Sequence, residues 1–88
     1  MEDLGAPSSY LALAAGTDVY SSDGQKLGEV GEVRADEQQD IFDGLVLSRG
    51  VLAPRSCFVR ADQVEQIHER GVVLSLDAEA AEQLPDPD

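Results

Sequence analysis

Eighty-eight residues leave room for one small domain, and 18 Asp and Glu against 6 Lys and Arg give it a formal net charge of -12. A surface of that sign repels nucleic-acid backbones, which proteins bind by releasing counterions to clustered Lys and Arg, and it is equally disfavoured at anionic membranes. With two Phe, two Tyr and no Trp the core must be built from Val and Leu, and a single cysteine excludes an intramolecular disulfide, which fits a reducing, cytoplasmic setting.

The first nine residues, "MEDLGAPSS", mix Gly and Pro with polar side chains and predict a disordered leader over 1–9, ahead of a domain over 10–84 and an acidic tail over 85–88. No basic stretch marks a signal peptide. No apolar run approaches the ~18 residues of a membrane span, so no membrane insertion is expected. Tyr10, Leu11 and Leu13 open the folded part. "DVY" then reads as a short strand and "SSDG" as a turn, in which Asp23-Gly24 accepts the positive φ that tight hairpins need.

"KLGEVGEVRA" follows as a strand with an irregular pattern. Leu27, Val30 and Val33 recur every three residues, which is a helical spacing, yet Gly28 and Gly31 would each cost a helix roughly 1 kcal/mol relative to Ala. A strand with a bulge or sharp coil at one glycine reconciles the two, since a bulge resets the alternation and bends the strand. Curvature is therefore the role expected of both glycines.

"DEQQD" is a second polar turn, and "IFDGLVLS" a strand with Ile41, Leu45 and Leu47 on one face and Phe42 and Val46 on the other. "RGVLAPR" reads as an exposed loop, "SCFVR" as a strand, and "ADQVEQI" as a turn into another strand. "ERG", with Gly71, is a hairpin, and "VVLSL" a final strand presenting Val72, Leu74 and Leu76 to one side. "DAEAAEQL" closes as a short helix capped by Asp77 and stopped by Pro85. The expectation is a mainly β fold: a small barrel of about six short strands with a short C-terminal helix.

The succession "DVYSSDGQKLGEVGEVRADEQQDIFDGLVL", "FVRADQVEQI" and "GVVLSL" resembles the PRC-barrel domain family. Its recognisable elements here are Asp23-Gly24, Gly28 with Val30, Ala61-Asp62 before Val64 and Ile67, and the hairpin at Gly71; Arg60 stands where similar sequences are expected to carry proline. The resemblance covers roughly Leu11 to Leu84. It implies a standalone version of a scaffold whose relatives pack on a membrane reaction centre or contact a ribosomal protein, and it brings no catalytic signature.

The candidate sites are few. Cys57 and His68 are too few for a zinc site; Cys57 is expected as a buried apolar filler and His68 as an exposed side chain beside a hairpin. The acidic turn Asp36, Glu37, Asp40 and Asp43 could attract a cation but lacks the order of an EF-hand loop. No metal, cofactor or catalytic set is expected, and the chain reads as no enzyme. The most promising surface is the loop with Arg49, Val51, Leu52 and Arg55, where arginines bracket apolar residues inside a stretch, Gly44 to Ala61, that has no carboxylate.

The function expected is that of a protein-interaction or scaffold module with a partner the sequence does not identify. The alternative is an accessory factor binding a protein component of a ribosomal or RNA-processing assembly, without direct nucleic-acid contact. Self-association as a homodimer is also expected, because Phe42, Val46, Val51, Leu52 and Val73 exceed what one small core needs.

Overall fold

The structure, a computed structural model, describes residues 3–50 and 54–87. Strands β1 (Asp18–Tyr20), β2 (Lys26–Asp36), β3 (Ile41–Arg49), β4 (Arg55–Arg60), β5 (Val64–His68) and β6 (Gly71–Leu74) form one sheet, and one helical turn, α1 (Ala78–Ala81), follows them. The spatial order is β4-β3-β2-β1-β6-β5, with β1 and β6 parallel and every other neighbouring pair antiparallel. Hydrogen bonds do not close the sheet, since β4 and β5 remain its two ends. It curls nonetheless: Val19, Val30, Leu45, Val59 and Val72, from five different strands, meet in one buried cluster that Ala81 of α1 completes.

The spacing of three on β2 arises from two bulges. Val19 opposes Gly28 while Tyr20 opposes Lys26, which leaves Leu27 extra against β1; Val30 opposes Leu47 while Glu32 opposes Val46, which leaves Gly31 extra against β3. Leu27 and Val30 thereby enter the same core. The two glycines do different work. A Cβ on Gly31 would find its nearest atom at 3.5 Å, whereas one on Gly28 would lie 2.2 Å from the Ser48 carbonyl oxygen. Gly31 is a bulge residue, and Gly28 lets two backbones touch.

The β1–β2 turn is as expected, with Gly24 at φ +85°. Ser21, fully buried, organises it: its N–H donates to Gln25 O, its hydroxyl oxygen accepts from Gln25 N–H at 3.1 Å, and its hydroxyl donates to Asp23. That last bond holds the Asp23 carboxyl below the usual carboxylate range.

Both termini depart from expectation. Residues 4–8 are not a free leader, because they run beside the outer edge of β5 and Leu4 is buried with Tyr20 and Val73. The C-terminal tail is likewise held: Phe58 N–H donates to Pro85 O at 2.8 Å, and Arg34 reaches Pro87 O at 2.9 Å. Each end strand of the sheet is thus covered by one terminus, which protects edges that would otherwise pair with other chains.

Smaller differences have local causes. The last strand stops at Leu74 because Ser75 N–H turns to Gln63 O, and α1 keeps only one regular turn, capped by the Asp77 carboxylate accepting from Ala80 N–H at 2.7 Å. Ile41, expected beside Leu45 and Leu47, lies at the start of β3 beyond the core and is exposed. The apolar surplus also shrinks: Val46 and Val73 are buried within the chain, and Phe42 is covered by Tyr10. Among the described residues, Leu11 and Ile41 are the large apolar side chains left exposed.

Candidate functional site

Arg49 and Arg55 form the last cross-strand pair of β3 and β4, so the structure does bring the two loop arginines together. Arg49 is already engaged. Its Nε donates to Leu27 O at 3.2 Å and its Nη2 to the Glu82 carboxylate at 2.9 Å, while its Nη1 is buried without a partner. It braces the start of β2 against the segment after α1, and it is not free to meet another subunit's carboxylate. Arg55 is exposed and shares a shallow cavity with Arg49, Gly50 and Glu82. Val51 and Leu52, the apolar half of the expected surface, lie outside the described residues.

The titratable candidates turn inward on the fold. Cys57 is buried, its thiol faces Leu47 O at 3.8 Å, and burial pushes its pKa up against the opposing pull of Arg49 and Arg55. A thiol so placed is expected to react with Ellman's reagent at least a hundredfold slower than free cysteine, reaching the free rate only in denaturant; stopped-flow absorbance would measure this. His68, expected to be exposed, is half-buried: Nδ1 lies 3.0 Å from Gly5 O and Nε2 2.9 Å from the Gln66 side chain. The Asp36 carboxylate accepts from the N–H groups of Gln38 and Gln39 and from the Gln39 side chain. Among the described residues no group of three or more His, Cys, Asp or Glu is placed to hold a metal ion, and none of the described helices is long and apolar enough to cross a membrane.

A different surface assembles at the end of the β2–β3 hairpin. Tyr10 begins a short 3-10 turn, Tyr10–Ala12, and its ring stacks on Phe42 with centroids 5.0 Å apart and planes within 10°. Its hydroxyl donates to the Asp40 carboxylate, whose residue takes φ +54° in the tight turn before β3. The stack and this hydrogen bond tie the turn to the hairpin. Leu11 and Ile41, each adjacent in sequence to one ring of the stack, remain 59% and 46% exposed. The hydrogen bond to Asp40, with the charges of Asp40, Glu37 and Asp36, pushes the Tyr10 pKa up to about 12. Those three carboxylates therefore lie near enough to act on the Tyr10 hydroxyl.

The family model of the PRC-barrel domain matches residues 9–80, which takes in all six strands and this aromatic stack. The chain belongs to the PRC-barrel domain family. No curated protein matches it.

Sequence reasoning located the acidic turn of this PRC-barrel domain and the apolar residues beside it, but assigned them to separate elements. The available signal was the apolar pair Tyr10-Leu11 emerging from a polar leader, 30 residues before Asp40. Asp40→Asn is expected to return the Tyr10 pKa towards its ordinary 10, followed by tyrosine ring resonances in a pH titration. The folded pKa is raised, so the Tyr10–Asp40 bond contributes below the unfolded value of 10 and is lost as pH rises through about 12.

Proposed function

We propose that this PRC-barrel domain is a non-enzymatic protein-interaction module whose docking surface is the end of the β2–β3 hairpin. The supporting observation is that the Tyr10–Phe42 stack and the Tyr10–Asp40 hydrogen bond bring the segments carrying the exposed Leu11 and Ile41 to the same end of the hairpin, where the charges of Asp36, Glu37 and Asp40 act on Tyr10. Apolar anchors on a rigid support supply affinity, and the carboxylates favour a partner that carries Lys or Arg beside its apolar side chains. The net charge of -12 adds long-range steering of the same sign and disfavours RNA and DNA as direct ligands.

Support for a non-enzymatic role comes from the chemistry of the candidates: the Cys57 thiol is sealed, and both His68 ring nitrogens have neighbours within hydrogen-bond distance. A cytoplasmic location belongs to the same proposal, on the strength of the lone reduced thiol. The carboxylates at this end of the hairpin also favour a second, finer reading, an accessory factor for a ribosomal or RNA-processing assembly, whose protein components are rich in basic residues. Self-association remains open to the Arg55 side of the molecule, although the burial of Val46 and Val73 removes much of its driving force.

The test compares the wild-type domain with a Leu11→Asp/Ile41→Asp variant, both immobilised and exposed to native lysate, with bound proteins quantified by mass spectrometry. Basic proteins retained by the first and lost by the second are expected. Identical retention by both would rule out this surface.

A further inference from the structure

Residues 4–8 precede the region matched by the family and run along the outer edge of β5 at Ile67 and His68 and on to Glu69 and Arg70 in the turn that follows. Ser8 N–H donates to Ile67 O at 2.8 Å, Glu69 N–H to Ala6 O at 3.0 Å and Arg70 N–H to Leu4 O at 2.9 Å, while Pro7 opposes His68 in an antiparallel bridge. A carbonyl can only accept, so in this contact the Nδ1–H of His68 donates to Gly5 O. One side chain anchors this strap. Leu4, 7% exposed, fills a socket floored by Gly71 and walled by Tyr20 and Val73. A Cβ on Gly71 would come within 2.8 Å of Leu4 and fill the socket itself.

Main-chain bonds along a strand edge with a pocket for one side chain are the elements of recognition by strand addition. Besides the three main-chain bonds and the buried Leu4, the strap is held by Ala6 N–H donating to the Glu69 carboxylate at 2.9 Å, by the His68–Gly5 O bond and by Arg70 at Asp3, and all of these side-chain contacts come from residues 68–70 at the end of β5 and in the turn after it. The strap is joined to β1 through residues 9–17, so it can leave the edge without disturbing a strand. Stripped of it, the end of β5 and the turn after it would present the Ile67 carbonyl and the Glu69 and Arg70 N–H groups unpaired beside an empty apolar socket.

We infer that the outer edge of β5 is a strand-addition site for an extended, leucine-bearing segment of another protein, and that residues 4–8 are its resident occupant, displaced on binding. The geometry defines the incoming segment. A leucine enters the socket and glycine follows it best, because Gly5 has φ +85° and its Cβ would sit 3.1 Å from the Glu69 carboxylate. An acidic residue before the leucine is served by Arg70, as Asp3 is at 3.8 Å. The tether keeps the strap at an effective concentration of order millimolar, and the observed affinity falls by the fraction of molecules with the edge open. Loosening the strap must therefore strengthen binding in trans. This surface is separate from the one bearing Leu11 and Ile41, and its failure would leave that proposal intact.

The probe is a fluorescein-labelled peptide of residues 3–9, followed by anisotropy against three full-length proteins: wild type, Leu4→Ala, and Leu4→Ala with Gly71→Ala. Binding to Leu4→Ala at least tenfold tighter than to wild type, and abolished by the added Gly71→Ala, is expected. Equal affinity for the first two, no binding to either, or undiminished binding to the double variant would overturn the inference. Amide hydrogen exchange of the wild type keeps the question answerable if Leu4→Ala does not fold. The Ser8, Glu69 and Arg70 amides should exchange at least tenfold faster than Val30 through local opening, and exchange of all four only on global unfolding would equally reject the displaceable strap.

Discussion

Gly28→Ala is expected to destabilise the domain by about 3 kcal/mol or more, at the upper end of overpacking penalties, while Gly31→Ala changes stability by about 0.5 kcal/mol or less. The added methyl at position 28 meets the Ser48 carbonyl oxygen at 2.2 Å and its carbon at 3.1 Å. These are backbone atoms of Ser48 on β3, which pairs with Glu29, the residue after Gly28, so relief requires prising β2 from β3 at the start of their ladder. The methyl at position 31 meets nothing closer than 3.5 Å, an ordinary contact. Urea titrations of the two variants would separate them by midpoint at unchanged slope.

The second large effect is Leu45→Ala, expected to cost about 3–5 kcal/mol by the combined loss of burial and creation of a cavity. Leu45 is fully buried, lies in the central strand pairing of β2 with β3, and faces the single main core. A chain of this size has a total stability of roughly 4–13 kcal/mol, so the variant should be partly or wholly unfolded at 37 °C by circular dichroism. Ile41→Ala, four residues earlier and beyond the register shift that leaves Asp43 extra on β3, should shift the midpoint only slightly, because Ile41 is exposed beyond the end of the core.

That contrast marks where the sequence was legible. Alternation and turn chemistry located all six strands, the Asp23-Gly24 turn, the bulge in β2 and the Asp77 cap, because each is decided by neighbours in the chain. Alternation could not show where the core ends, so Ile41 was grouped with Leu45. Nor could it separate Gly28 from Gly31, since the carbonyl that excludes a side chain at position 28 belongs to Ser48, 20 residues away. Leu4 in a Gly- and Pro-bearing polar segment looked like part of a disordered leader; its socket is made by Tyr20, Gly71 and Val73, which nothing local announces. The surface proposed for docking could not be read from the sequence for the same reason. Tyr10 meets Asp40 and Phe42 only in three dimensions, while the arginine pair that looked available, Arg49 and Arg55, has one member engaged by Glu82.

The central claim, docking of a cationic and apolar partner on the end of the β2–β3 hairpin, is tested most directly by a heteronuclear NMR titration. The ligands are two peptides, one alternating leucine with lysine and the other leucine with glutamate. The lysine peptide should shift the amides of Tyr10, Leu11, Asp40, Ile41 and Phe42, with an affinity that falls as salt is raised and is lost in Leu11→Asp/Ile41→Asp. The glutamate peptide should leave them in place. Equal response to both peptides, or shifts confined to other parts of the domain such as Ile67 to Arg70, would contradict the claim.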